Sequence, residues 1–332
     1  MSEDPVLVTG GSGFVGGAVL ARLVEAGREV RALTRSVEAA GALSRGGAQP
    51  VRGDILDPAS LDRAMAGCGV VYHLAGLNGF CLPDPRELHR VNVEGTRMVV
   101  AAAAQAGVRR IIHTSSAATV GEAKGTVGRE DSPHRGSFLS HYERSKFEAE
   151  RVAFQTAAAR GIELVSVNPA SVQGPGRVRG TARILIDALN GRLKAVVDSR
   201  MSLVDVADCA EGHLLAEQRG VPGERYLLSG ATLTVTEAIA LLGTITGRHV
   251  HPRRLPGPVA MVAAAGAEGL ARLRRRRPSV CREMVRTILH GHAYDGSRAT
   301  RELGLVYTPI DESLRRTVDW YVSEGLVASA PR

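Results

Sequence analysis

Thr9-Gly10-Gly11-Ser12-Gly13-Phe14-Val15-Gly16 is the stretch whose reading decides the fold. The apolar run Pro5–Val8 before it reads as a short buried strand. After it, Ala18-Val19-Leu20-Ala21-Arg22-Leu23-Val24 carries apolar residues at helical spacing. A strand, a tight glycine turn and a helix N-terminus make a phosphate cradle, because the backbone can come close and free N–H groups with the helix dipole face the anion. The spacing is G-x-x-G-x-x-G through Gly10, Gly13 and Gly16 rather than G-x-G-x-x-G. A glycine-rich turn without a ligand has the same local pattern, so the rest of the chain has to decide.

Outward from this turn, strand and helix alternate. Glu29–Leu33, Pro50–Arg52, Gly69–Leu74, Arg110–Thr114 and Ile162–Val167 read as strands, with helical patterns between them that include Glu87–Ala106 and Tyr142–Ala159. This rhythm predicts an α/β fold: a doubly wound (Rossmann) parallel sheet with its ligand at the C-terminal strand ends. Beyond Pro169 the rhythm changes. Gly174-Pro175-Gly176 breaks the chain, Thr181–Leu189 is helix-like and Ala195–Val197 strand-like, and Val204–Ala216 reads as a helix entered at Asp205. Thr234 and Glu237 form a capping box for a helix through Leu242, and a last helix, Ile310–Val322, is expected to be capped by Thr308 or Asp311. These pieces make a smaller mixed C-terminal substrate lobe. The division is 1–171 plus 199–222 for the dinucleotide-binding domain and 172–198 plus 223–325 for the substrate-binding lobe. No internal repeat is visible, and disorder is expected only in the last few residues.

The 332 residues suffice for a sizeable core, built mostly from Val, Leu, Ile and Ala because aromatics make up 4%. The 42 basic and 34 acidic residues give a net charge of +8. The arginines are spread along the chain without a nucleic-acid motif, so small anions are the expected partners and nucleic acid is not. Cys68, Cys81, Cys209 and Cys281 form no C-x-x-C pair and have no histidine at metal spacing. That pattern suits free thiols in a reducing cytoplasm, with neither a disulfide frame nor metal catalysis. Met1–Asp4 precede the first strand, so no signal peptide is expected. The apolar stretch Pro258–Ala271 is broken by Glu268 and two glycines, so no integral membrane segment is expected. It runs into Arg272 and Arg274–Arg277. A helix lying on an anionic membrane fits that pattern, and a domain helix with a solvated basic end is the plainer reading.

Four further stretches carry chemistry. Tyr142 and Lys146 stand four apart on one helical face, where an ammonium favours the phenolate and lowers the ordinary tyrosine pKa of about 10. Such a tyrosine exchanges a proton with a carbonyl or alcohol oxygen. Thr114-Ser115-Ser116 ends the fifth strand, where a hydroxyl can bond a reacting oxygen. Asp54 follows the third strand and can accept from an adenine amino group, and Leu74-Ala75-Gly76 after the fourth lets a flat cofactor lie close. Asn168-Pro169-Ala170-Ser171 follows the sixth, with backbone groups suited to a carboxamide. Taken singly, each is equally an exposed helical pair, a strand-end cap or a small-residue turn.

Read in order, TGGSGFVG, GDILD, VYHLAG, VNVEGT, HTSSAATVG, YERSK, NPASVQGPG, LVDVADCAEGH and RELGLVYTP…TVDWY make the chain resemble an extended short-chain dehydrogenase/reductase along nearly its whole length. HYERSKFEAERVA and AEGHLLA…GERYLLSG resemble most closely the dihydroflavonol 4-reductase-like group, which includes hopanoid-associated sugar epimerase-type proteins. The resemblance implies that Tyr142 is the general acid/base, that Lys146 holds the nicotinamide ribose, and that Ser116, rather than Ser115, orients the substrate oxygen. It makes Asn92 structural. The implied cofactor contacts are Gly10, Gly13, Phe14, Val15 and Gly16 at the pyrophosphate, Asp54 and Ile55 at adenine, Leu74, Ala75 and Gly76 at the ribose, and Asn168 and Ser171 at the nicotinamide. Where NAD-preferring relatives end the second strand with an acidic residue, this chain has Thr34, followed by Arg35. An arginine can grip a 2′-phosphate, so NADP is expected ahead of NAD.

The implied activity is an NADP(H)-dependent oxidoreductase acting on a ketone or secondary alcohol of a small organic substrate. A nucleotide-sugar epimerase/dehydratase, with Arg177, Arg179 and Arg183 as a second anion site, is the alternative. A 3β-hydroxysteroid-type dehydrogenase is another. A cofactor-binding protein without catalysis is disfavoured because Ser116, Tyr142 and Lys146 are all present. Relatives also imply a homodimer joined through Glu87–Ala106 and Tyr142–Ala159.

Overall fold

Val6–Thr9 and Val70–His73 are buried at every position. Strands without an exposed face belong to parallel sheets covered by helices on both sides. In the computed structural model, which describes residues 4–328, these two strands lie side by side in a seven-stranded sheet. Its order from one edge is Arg225–Leu228, Glu163–Pro169, Arg110–Thr114, Val70–His73, Val6–Thr9, Val30–Thr34 and Gln49–Arg52. Every neighbouring pair is parallel, with Val6 opposite Val30 on one side and Val70 on the other. The strand order reverses at the first strand. A doubly wound sheet takes its ligand in the crevice beyond the strand ends at that point.

Helices seal both faces. Val19, Leu20 and Leu23 of Phe14–Glu25 pack with Leu214 and Leu215 of Val206–Arg219 on one side. Leu61, Met65, Val99, Ala103 and Ala153 cover the other. Each fully buried leucine contributes roughly 1.5–3 kcal/mol. The smaller lobe has a mixed three-stranded sheet of Ala231–Thr234, Arg200–Asp205 and Ser171–Gln173. Helices Thr181–Leu189, Val235–Thr246 and Ile310–Ser323 pack around Leu185, Leu242, Leu314 and Tyr321. The capping box is present: Glu237 N donates to Thr234 Oγ1 at 3.1 Å and Thr234 N to Glu237 Oε2 at 2.7 Å. Arg225–Leu228 lies in the central sheet, so the chain returns to that layer after residue 222. Among the described residues, no helix is long and apolar enough to cross a membrane.

Several expectations give way to specific contacts. The helix expected over Glu87–Ala106 is interrupted: Arg86–Leu88 leads into a wide π turn, His89–Glu94, and Gly95–Gln105 is regular α-helix. The wide turn buries Asn92, whose amide donates to the Leu77 carbonyl at 3.0 Å and to Ser145 Oγ at 2.9 Å, and accepts from Leu77 N at 2.7 Å. Ile310–Ser323 has no side-chain cap. Thr308 is drawn away by Asp208, whose carboxylate accepts its N–H and its hydroxyl, each at 2.7 Å, and Asp311 lies within the first turn. Asp205 ends a strand and caps Val206–Arg219 through Ala207 N at 2.8 Å, and its second oxygen takes Ser313 Oγ at 2.5 Å. The expected disordered tail lies at 329–332, outside the described residues.

The expectation of four free thiols is overturned. Cys81 and Cys281 form a disulfide across a separation of 200 residues, while Cys68 and Cys209 are free and buried. Their spacing carries no signal, because only the folded chain brings the loop after the fourth strand against the N-terminus of Arg282–His290. A cross-link closing so long a loop typically stabilises by about 2–4 kcal/mol. Reductant should therefore lower the thermal midpoint by several degrees, and Cys281→Ser should show the lowered value with no further change on reduction. Equal midpoints for oxidised and reduced wild type would contradict the cross-link's contribution.

Candidate active site

The cradle is built by close backbone approach. Gly10 has φ +77°, and a Cβ on it would lie 2.6 Å from Ala75 N. A Cβ on Gly16 would collide with the Gly10 carbonyl oxygen. Glycine is thus required at both positions to seat the helix on the strand. Gly13 caps Phe14–Glu25 without a side-chain hydrogen bond, so first-turn N–H groups remain for an anion. This shape fits a dinucleotide pyrophosphate. Phe14 and Val15 are half-buried against the core, and the Arg177 guanidinium lies 5.8 Å from the centre of the Phe14 ring.

At the other end of the crevice, Arg35 Nη1 lies 3.5 Å from Asp54 Oδ2. Asp54 is fixed by accepting from Leu56 N at 3.0 Å. Ile55 is buried beneath it against Gly95, where a Cβ would come within 2.6 Å of Ile55 Cδ1. Leu74, Ala75 and Gly76 leave the fourth strand, which lies on the opposite side of the first strand from Arg35, with Ala75 N donating to Thr9 Oγ1 at 3.2 Å.

Tyr142 and Lys146 stand one turn apart on His141–Arg160, capped by Ser140 Oγ, which accepts from Glu143 N at 3.1 Å. Lys146 is buried and donates to the Thr114 carbonyl at 2.8 Å. Burial lowers its pKa to about 8 against the opposing pull of Glu150. The expected lowering of the Tyr142 pKa is reversed here. Burial pushes the phenol up, and the neighbouring Ser116 hydroxyl and Arg177 charge pull it down only in part. The Lys146 ammonium is directed to the strand-end carbonyl instead.

The two serines are distinguished by their partners. Ser115 Oγ donates to Glu150 Oε2, which also accepts from Thr119 Oγ1 and Asn168 Nδ2, each at 2.7 Å. Ser116 Oγ caps the short turn Ala117–Val120, accepting from Ala118 N at 3.3 Å, and faces the Tyr142 phenol. Asn168 also donates to the Ser116 carbonyl at 3.2 Å, so its side chain braces the serine segment. Ser171 is turned to the lobe, accepting from Gln173 Nε2 at 3.1 Å and pairing with Thr181 Oγ1 at 3.2 Å.

Sequence reasoning missed what frames the mouth. Phe80 packs edge-on to Tyr142, with ring centres 6.4 Å apart. Glu283 accepts from Cys81 N at 2.6 Å and from His141 N at 3.1 Å, tying the Phe80 loop to the start of His141–Arg160. A second group, Glu122, His290 and His292, also went unremarked. Its three donor atoms lie within 4.8 Å of one another, with His292 Nδ1 2.6 Å from Glu122 Oε1 and Tyr294 OH 3.0 Å from the same nitrogen. Only the His-Gly-His alternation hinted at it.

Residues 6–229 match the NAD dependent epimerase/dehydratase family. The chain is 35% identical to a protein named putative dihydroflavonol 4-reductase from Synechocystis sp., over 98% of this chain and 96% of that one. It is 33% identical to sterol demethylase protein B of Methylococcus capsulatus, over 97% and 99%. The crystal structure of gox2253 superposes with a TM-score of 0.86 at 31% identity, covering 98% of this chain and 99% of that one. The chain therefore belongs to the NAD-dependent epimerase/dehydratase family of extended short-chain dehydrogenases/reductases, and is an NAD(P)-dependent enzyme.

Proposed function

We propose that the protein is an NADP(H)-dependent oxidoreductase that interconverts a ketone and a secondary alcohol on a small organic substrate. The observation that carries this reading is the convergence of Tyr142, Ser116 and Lys146 at the end of the cradle's crevice. The bound dinucleotide supplies or accepts the hydride. In the reducing direction Tyr142 gives its proton to the carbonyl oxygen as the C–O bond becomes an alkoxide, and Ser116 donates a hydrogen bond to the same oxygen. Lys146, one turn from Tyr142, would hold the nicotinamide ribose hydroxyls when the dinucleotide is bound. In the oxidising direction Tyr142 takes the alcohol proton.

The sugar-nucleotide alternative is weaker, since two of the three arginines it needs are engaged. Arg183 pairs with Asp187 at 2.9 Å, and Arg177 donates to the Val172 carbonyl. For the cofactor, the NADP preference is supported by Arg35, which follows the second strand next to Ser36, the cap of Val37–Arg45 that accepts from Ala39 N at 3.2 Å. A cation beside a helix N-terminus suits a dianion.

Tyr142→Phe should reduce turnover by about 100- to 10,000-fold with cofactor affinity nearly unchanged. Ser116→Ala should cost about 100-fold, whereas Ser115→Ala should lower stability more than turnover. Comparable turnover for wild type and the Tyr142 variant would refute the mechanism. Arg35→Ala should raise the KM for NADPH by about 10- to 100-fold, the worth of a charge-assisted hydrogen bond, and leave that for NADH nearly unchanged. A wild type that prefers NADH would refute the assignment of Arg35.

A further inference from the structure

Gly257–Leu273 is a helix with one side against the lobe and an apolar side facing out. Ala260 and Ala264 are buried and pack with Val285 and Leu289. On the opposite side Val259 is 52% exposed, Val262 74%, Leu270 48% and Leu273 82%. With exposed Gly266 these positions follow one another at helical steps of three or four, and exposed Ala263 lies four beyond Val259, so that together they form one uncharged stripe. The only carboxylate between residues 255 and 280 is Glu268. It is turned inward, accepting from Arg282 N at 2.6 Å and Arg282 Nε at 2.9 Å.

The stripe runs directly into exposed Arg272, Arg274, Arg275, Arg276 and Arg277. An apolar helix face left in water is unusual on a soluble domain and marks an interaction surface. Continuity with a run of arginines narrows the partner. An interface that offers hydrocarbon beneath a layer of negative charge complements both halves, whereas a second copy of this chain would bring the same positive charge. The helix is too short and too charged at its end to cross a bilayer, so it would lie in the plane of the headgroups. Arg277 Nη2 also donates to the Phe80 carbonyl at 2.7 Å, and Phe80 packs on Tyr142. The basic turn therefore adjoins the mouth of the candidate active site.

We propose that the outer face of Gly257–Leu273, with Arg272–Arg277, is a docking surface for an anionic lipid membrane. It places the opening beside Phe80 close to the lipid surface and does not depend on which reaction Tyr142 performs.

The test uses the full-length, tag-free chain and co-sedimentation with vesicles of phosphatidylcholine alone or mixed with phosphatidylglycerol. Expected is partition onto the mixed vesicles, weakened by salt, with little onto phosphatidylcholine alone. The pair Val262→Glu and Leu273→Glu should lower partition by about tenfold or more, as should Arg274→Glu with Arg275→Glu. Both pairs alter only exposed side chains, and the thermal midpoint should match wild type. If one pair does not fold, the other decides. No partition at low salt, equal partition onto both vesicle types, or wild-type partition by the folded variants would overturn the proposal. So would a wild-type dimer that the Val262/Leu273 pair converts to monomer, because the stripe would then be covered by a second copy.

Discussion

One buried carboxylate, Glu150, holds the side of the molecule that carries Ser116, Tyr142 and Lys146 in register. It projects from His141–Arg160, the helix that carries Tyr142 and Lys146. Its oxygens accept from Ser115 and Thr119 after the fifth strand and from Asn168 in the sixth, and face Arg225 of the edge strand at 3.4 Å. Helix, serine segment and two neighbouring strands are thereby fixed to one point. Removing one partner of such a buried charge typically costs about 3–5 kcal/mol, because the remaining groups stay buried without a match. The same carboxylate opposes the fall in the Lys146 pKa. The frame that aligns the side chains thus also acts on their charge.

The cofactor side is held by a different kind of constraint, the contact of one backbone with another. Gly10 meets Ala75, and Gly16 meets Gly10, at distances that exclude any side chain. That contact seats the start of Phe14–Glu25 against the end of the first strand. The mouth is framed by long-range ties: the Cys81–Cys281 bond, Glu283 bridging Cys81 and His141, and Arg277 on Phe80. Each of these ties has one end at Phe80 or Cys81, so that loop is fastened to the C-terminal lobe.

What the sequence made legible was local or periodic. The glycine turn, the strand–helix alternation, Tyr142 and Lys146 at one-turn spacing and the Thr234–Glu237 capping box each depend on residues a few positions apart. What stayed hidden depends on the folded chain. Cys81 and Cys281 are far apart in sequence, and their spacing pointed the wrong way about oxidation. The inward turn at Asn92 arises from a π turn that a helical pattern does not distinguish. The Tyr142 pKa moved opposite to expectation because burial in the folded chain pushes the phenol up, while the Lys146 ammonium is turned to a carbonyl that the parallel sheet brings to it. Ser115 and Ser116 were separable in the sequence only by analogy, and in the folded chain Glu150 engages Ser115 while Ser116 faces Tyr142.

The most direct test of the central assignment, net hydride transfer at a carbonyl with Tyr142 as proton donor, follows a labelled hydride. Purified enzyme would be incubated with NADPH bearing deuterium on the transferring face and with a panel of ketones, with oxidised cofactor and product label measured together. Expected is one NADP⁺ formed for each alcohol, with deuterium on the carbinol carbon, and loss of both signals in Tyr142→Phe. Conversion of a sugar nucleotide to its epimer, with the cofactor retained and no net NADP⁺, would contradict the assignment.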